Sequence, residues 1–202
     1  MRGTPPTAQT RPVPRDFFAR QSPLVARALL GCWLVRRTRD GLFRVRISET
    51  EAYLGQGDPA SHAYRGPTRR NRPMFGPPGH AYVYFIYGMH HCFNVVTGKE
   101  GEAEAVLLRG AMGRSPAGGS LRGPGRLCRA MEIGREHDSL DLCSGVLDQI
   151  WIEAGRIPPG MARRTGPRVG VSDKSQLRFW LAEEPGTEPR AQHRPDIKER
   201  TP

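Results

Sequence analysis

Along residues 80–96, HAYVYFIYGMHHCFNVV, the alternation of side chains spells two β-strands joined by a very short turn. Tyr82, Tyr84 and Ile86 fall on one side of the first strand, and Val83 and Phe85 on the other. Gly88 suits a tight hairpin, where positive φ is needed. That puts Tyr87 at or near the tip, with a large ring and little behind it. Elsewhere the pattern is weaker but readable. Ser22 as N-cap, Pro23 at the first helical position and Gly31 as a stop predict a short helix over LVARALLG. CWLVRRT and LFRVRISETEAY read as a second hairpin with Asp40-Gly41 at its turn. AEAVLLRG predicts a further strand ending at Arg109, and GRLCRAMEI has helical spacing, with Leu127, Ala130 and Met131 on one side. Later strands are expected at LDQIWIEA, VGV and LRFWL, with a loop carrying Arg163, Arg164 and Arg168 between the first two.

The strand ending in ETEAY breaks its own pattern. Simple alternation puts Val45, Ile47, Glu49, Glu51 and Tyr53 on one face, and Arg46, Ser48, Thr50 and Ala52 on the other. A face that starts apolar thus ends in two carboxylates. Carboxylates on a core-side face are costly unless paired or functional. Burial of this kind is also how a carboxyl group becomes a general base or acid near neutral pH.

Composition narrows the class. A chain of 202 residues with 24 Gly and 19 Pro fits one loop-rich domain, large enough for a real core, rather than a helical bundle. Residues 1–15 are Pro- and Arg-rich and read as disordered, 16–182 as the domain, and 183–202 as a polar tail. Neither a membrane span nor a signal peptide is expected. The four cysteines are scattered without a CxxC pair, which fits buried free thiols in a reducing compartment. Charge is uneven: residues 1–98 hold 14 Arg against 5 acidic side chains, whereas residues 99–202 hold 17 Lys and Arg against 15. Positions 59–98 contain no acidic side chain at all, and a basic, acid-free surface attracts nucleic acid. Arg65, Arg69, Arg70 and Arg72 lie in this stretch, in a loop with a short helical turn expected near 68–74.

Adjacent strand residues such as His90 and His91 point to opposite faces and do not readily share a metal. No GxSxG, Walker loop or GxGxxG before a helix is present. The three lysines, Lys99, Lys174 and Lys198, fall in a turn, a polar loop and the tail, which disfavours Schiff-base chemistry. An electropositive surface, an aromatic on a hairpin tip, further aromatics nearby and a buried-face carboxylate together match what base flipping requires. A wedge replaces the extruded nucleotide, rings sandwich the base, a carboxylate activates water and arginines hold phosphates.

ETEAYLG, His62, TRRNRPMF, YVYFIYGMHHCFNVV, AVLLRG, GPGRLCRAMEI and RVGV…LRFW run in order from about residue 16 to 181. This series resembles the alkyladenine (3-methyladenine or methylpurine) DNA glycosylase family. The resemblance implies a single mixed α+β domain with a curved antiparallel sheet and short surrounding helices. It also implies a monofunctional enzyme of base excision repair that hydrolyses the N-glycosidic bond of alkylated or deaminated purines in duplex DNA. Glu51 matches the general base and Arg109 a residue beside the attacking water and the DNA backbone. Tyr53, His62 and Tyr84 match the base pocket, Asn94 the residue that disfavours guanine through its 2-amino group, and Tyr87 the intercalating wedge. Tyr82 remains a packing residue and Glu49 a structural carboxylate. Family members use no metal or other cofactor and no covalent lysine intermediate. The implied partner is duplex DNA containing a damaged purine, acted on by a monomer in a bacterial cytoplasm, on the nucleoid. Two alternatives stay open: a non-catalytic lesion-binding protein of the same fold, and a metal hydrolase using His62, His90 and Glu51.

Overall fold

The computed structural model describes residues 11–144 and 149–184. Within them lie eight strands and three short α-helices: α1 (Arg15–Phe18), α2 (Ser22–Leu29), β1 (Trp33–Thr38), β2 (Gly41–Tyr53), β3 (Ala81–Ile86), β4 (His90–Thr97), β5 (Glu104–Met112), α3 (Pro124–Ala130), β6 (Ile150–Glu153), β7 (Met161–Gly166) and β8 (Arg178–Glu183). Every strand pair is antiparallel, in the order β3-β4-β5-β2-β1-β6, and the sheet is curled. β2 is the long central strand. Its first half pairs with β1, and residues 49–51 pair on that same side with β8, which in turn carries β7.

Local chemistry explains the elements. α2 buries Ser22, Val25, Ala26 and Leu29, the spacing of one helical face. Gln21 is its N-cap and Pro23 lies in its first turn, one step earlier than Ser22 capping would give. The first hairpin pairs Thr38 with Gly41, so Arg39-Asp40 forms the two-residue turn rather than Asp40-Gly41. β5 runs on through Arg109 to Met112, and of the segment expected to be a loop Arg163 and Arg164 lie in β7, while the expected strand VGV is irregular, with a turn at 169–170. Of the segment expected to lack structure, residues 1–10 lie outside the described residues. From there the chain is held, with the Val13 N–H donating to the Ile152 carbonyl at 2.8 Å. In the expected polar tail, Glu183 closes β8 and residues 185–202 lie outside the described residues.

One face of the sheet packs on the helices. Phe93, Val95, Val106, Leu108, Phe179 and the α2 residues form this core with Leu127, Cys128 and Met131 of α3. Each fully buried Phe or Leu there contributes about 1.5–3 kcal/mol. The opposite face of β3–β4–β5 carries a smaller cluster, Ala63, Met74, Tyr82, Val96, Ala103 and Ala105, under the loop 55–79.

The alternation expected for β2 does not survive. Val45 and Ile47 belong to the main core, but so does Ala52, and Thr50 is fully buried with its hydroxyl donating to the Ala26 carbonyl at 2.9 Å. The pairing with β5 is irregular between Ile47 and Thr50, and the partner strand switches parity at the same place, from Leu108 to Ala111. A bulge here inserts an extra residue and swaps the faces. Glu49, Glu51 and Tyr53 therefore leave the core side on which Val45 and Ile47 stand and face the groove.

Candidate active site

Strand register lines up the groove face. Tyr82 pairs with Asn94, Asn94 with Leu107, Leu107 with Glu51, and Glu51 with Arg178, one row across five strands. The neighbouring rows bring Tyr84 beside Cys92 and Glu49 beside Trp180. Over this floor the loop after β2 folds back. It begins at Gly55, whose φ is +70° and whose α-carbon has no room for a side chain, since a Cβ would stand 2.2 Å from the Glu102 carbonyl oxygen.

Tyr53, Ala60, His62, Met74, Tyr82, Tyr84, Asn94, Ala105 and Val171 enclose a cavity of about 180 Å³. The four sequence-derived pocket residues, Tyr53, His62, Tyr84 and Asn94, are thus brought together. The His62 ring meets Tyr84 edge-on at 4.5 Å between centroids, and its Nδ1 is 2.9 Å from the Tyr82 hydroxyl. Tyr82 is therefore more than packing: it orients His62. The His62 ring is exposed at the cavity mouth; partial desolvation there, then the charge of Arg70, holds it below the usual histidine pKa. Burial pushes the Tyr82 hydroxyl up to about 12. Burial likewise raises Tyr84, with Cys92 adding to it. Asn94 is buried, and its amide donates to the Tyr82 carbonyl at 3.0 Å.

Beside the cavity Glu51 is fully buried, and every neighbour that bonds it is a donor. Oε1 accepts from the Val169 N–H at 2.8 Å; Oε2 accepts from the Tyr53 hydroxyl at 3.0 Å and, more loosely, from Arg109 Nη1 at 3.4 Å. Such a set serves the acceptor-only carboxylate form. Burial first, then the Glu51 charge and its hydrogen bond, raise the Tyr53 pKa. Arg109 Nε stands 3.1 Å from Glu49 Oε1 and 3.3 Å from Glu51 Oε1, and the Glu49 oxygen also accepts from Arg178 at 2.7 Å. Glu49 thus ties two arginines to the floor beside Glu51.

Behind Tyr53 lies a group that sequence reasoning missed. Arg168 is buried and bidentate to Asp58, at 2.5 and 2.9 Å, and also donates to Asp173 at 2.8 Å and to the Ala52 carbonyl. Burial opposes ionisation of Asp58, but Arg168 and the N–H groups of Leu54 and Ala60 outweigh it and hold the carboxyl below its usual value. Asp58 is the last acidic residue before the acid-free stretch, and Arg168 opens RVGV; that was the only signal available.

The remaining residues surround the hairpin. Ile86 pairs with His90, and Tyr87 and Gly88 both take positive φ, 52° and 67°, the combination of a type I′ turn. Tyr87 is 87 % exposed and Met89 69 %. Arg65, Arg69, Arg70 and Arg72 are all exposed on the adjoining loop. That loop is docked to the hairpin, because Arg70 donates to the Phe85 carbonyl at 3.0 Å. A 3-10 turn spans Arg72–Phe75, slightly later than expected. His90 and His91 diverge, His91 against Phe85 and His90 against Gly125.

Residues 16–185 match the methylpurine-DNA glycosylase (MPG) family. The chain belongs to that family. It is accordingly a DNA glycosylase of base excision repair, acting on damaged DNA. Proteins named "Putative 3-methyladenine DNA glycosylase" are similar to it over most of their length. The one from Streptomyces avermitilis is 45 % identical over 202 residues, covering 91 % of this chain and 94 % of that protein. Those from Anaeromyxobacter dehalogenans strain 2CP-1 and Carboxydothermus hydrogenoformans are 53 % and 50 % identical, covering 79 % and 84 % of this chain and 74 % and 94 % of theirs. No described helix is long and apolar enough to cross a membrane.

Proposed function

We propose that this glycosylase removes 3-methyladenine and related alkylated or deaminated purines, and that Glu51 supplies the general base. The observation that carries the reading is the single groove-face row in which a buried carboxylate, fed only by donors, adjoins an aromatic cavity. A flipped purine enters between Tyr53, His62 and Tyr84. A water takes the place of the loose Arg109 contact on Glu51 Oε2. Its oxygen bonds to C1′ as the C1′–N bond breaks, its proton passes to Glu51, and the purine leaves with the bonding pair. Arg109, tethered by Glu49, stands beside the reacting sugar and phosphate. The product is an abasic site in an unbroken strand.

Selectivity follows from the same side chains. A cationic base such as 3-methyladenine stacks on electron-rich rings with about 0.5–2 kcal/mol of added attraction and leaves readily. The Tyr82 hydroxyl can donate to His62 Nδ1, and in that tautomer the neutral imidazole carries its proton on Nε2 and offers a donor to the base. Asn94, tied to the Tyr82 carbonyl, cannot swing aside for the 2-amino group of guanine. Tyr87 fills the gap left in the stack, and Arg65, Arg69, Arg70 and Arg72 neutralise phosphates beside it. The chain acts as a monomer, without metal or cofactor, in the bacterial cytoplasm.

The test is Glu51→Gln, which keeps the shape and removes the base. Release of hypoxanthine from a duplex should fall by on the order of 10²- to 10⁴-fold, with binding of the lesion duplex changed less than threefold or so. Unaltered turnover in this variant refutes the assignment.

A further inference from the structure

The Arg168 guanidinium carbon lies 4.7 Å from the centroid of the Tyr53 ring, a cation seated on that ring. Tyr53 is also a wall of the cavity. A cation over a π face draws on the ring quadrupole that a second cation on the ring would also need, and the two cations repel each other. A bare Arg168 would therefore work against a positively charged base at Tyr53. It is not bare. Asp58 meets two of its nitrogens and Asp173 meets one of them again from the other side. The remaining charges near the ring, Glu49 and Glu51 with Arg109 and Arg178, are two of each sign. The sign of the field behind Tyr53 is thus set by the balance of Arg168 against Asp58 and Asp173, one negative charge in excess.

Other features of the arrangement indicate a fixed element rather than a surface ion pair. The Arg168 side chain is 1 % exposed and Asp58 3 %, so the pair is screened little by solvent. The buried Nε–H has no hydrogen-bond partner, which leaves the guanidinium held through its two Nη atoms and seated against the Tyr53 ring. Asp58 is itself pinned by the N–H groups of Leu54 and Ala60.

We infer that the Asp58–Arg168–Asp173 group is a specificity determinant: two carboxylates outweigh the one guanidinium behind Tyr53, and the negative charge in excess lets the pocket accept cationic purines as well as neutral ones. The inference rests on the reading of the cavity as the base pocket. Removing one carboxylate takes this group from a net charge of about −1 to neutral and so withdraws negative charge from behind the stacking ring. Cationic lesions are then disfavoured in the pocket, whereas neutral lesions carry no charge for that field to act on. A group with a purely structural role would slow both kinds of lesion alike.

The experiment measures single-turnover base release by the full chain from two duplexes, one holding 7-methylguanine, which is cationic, and one holding hypoxanthine, which is neutral. Asp58→Asn keeps an acceptor for one of the two loop N–H groups and removes the charge. The ratio of cationic to neutral release should fall about tenfold. Asp173→Asn, at a half-exposed position that bears less on folding, should shift the ratio in the same direction by about threefold. A ratio unmoved in both variants, with both lesions slowed equally, overturns the inference and leaves the glycosylase reading intact. An unaltered chain that releases neither base overturns the proposed function, and this inference with it.

Discussion

Glu51 and Tyr87 mark the two ends of the groove, and they are built in opposite ways. Glu51 has no exposed surface, sits on the central strand of the sheet and has both oxygens occupied by donors from three places, Tyr53 on its own strand, Arg109 on β5 and the Val169 N–H, with Glu49 holding Arg109 in turn. Tyr87 is 87 % exposed, stands at a hairpin tip, and holds a left-handed backbone conformation that a tyrosine adopts only at some cost. On the proposed reading Glu51 must meet one sugar carbon at one distance, and such a group is over-determined by its surroundings. Tyr87, proposed to enter a base stack, needs a stiff support and open space. The difference teaches where damage to each will register: at the carboxylate end in the rate of bond breaking, at the tip in how long DNA is held.

The sharpest way to break this contrast is to measure both quantities in both variants. Glu51→Gln is expected to show the larger effect, confined to release. Tyr87→Ser should instead weaken retention of a lesion duplex by about 1–3 kcal/mol, the usual worth of aromatic–base stacking, read as a faster dissociation rate. Its thermal midpoint should not fall, because the ring has almost no packing to lose. A Tyr87→Ser protein that holds lesion DNA as well as the unaltered chain would remove the wedge from the picture.

A smaller effect sharpens the role of the loop docked to the hairpin. Arg69→Gln should weaken binding to damaged and undamaged duplex alike and reduce the slope of log affinity against log salt by about one. An unchanged slope would mean that this arginine meets no phosphate. The smallest effect is a pH dependence. His62 has its folded pKa below the ordinary histidine value of 6.5, so the folded state binds its proton less readily than the unfolded state. Stability linked to it is complete above 6.5 and declines as pH falls from there through the lower folded value. The thermal midpoint should therefore drop between pH 7.5 and 5.5 by more in the unaltered chain than in His62→Gln, a comparison that subtracts His137, which burial also shifts downward. Equal drops would remove His62 from the linkage.

Much of this was legible in the sequence because hairpins and short helices are specified locally. Alternation in residues 82–86 placed Tyr82 and Tyr84 on the face opposite Val83, and Gly88 marked the turn that lifts Tyr87 clear. The order of motifs from ETEAY to LRFW was enough for the family. What alternation could not show was the bulge at Ser48–Glu49, since one extra residue in a strand leaves no trace in composition and yet reverses every side chain beyond it. Reading on from Val45 therefore put Glu51 on the core side, when the tertiary pairing of β2 with β5 turns it to the groove.

By itself, then, the sequence determined the elements, the aromatic and basic character of one end, and the identity of the residues with chemistry to offer. Only the tertiary structure decided which of them act together. Arg168 meets Asp58 across 110 positions of sequence, and Arg178 meets Glu49 across 129. Ion pairs of this kind carry no local periodicity, and their partners are chosen by strand register and loop closure rather than by neighbours in the chain.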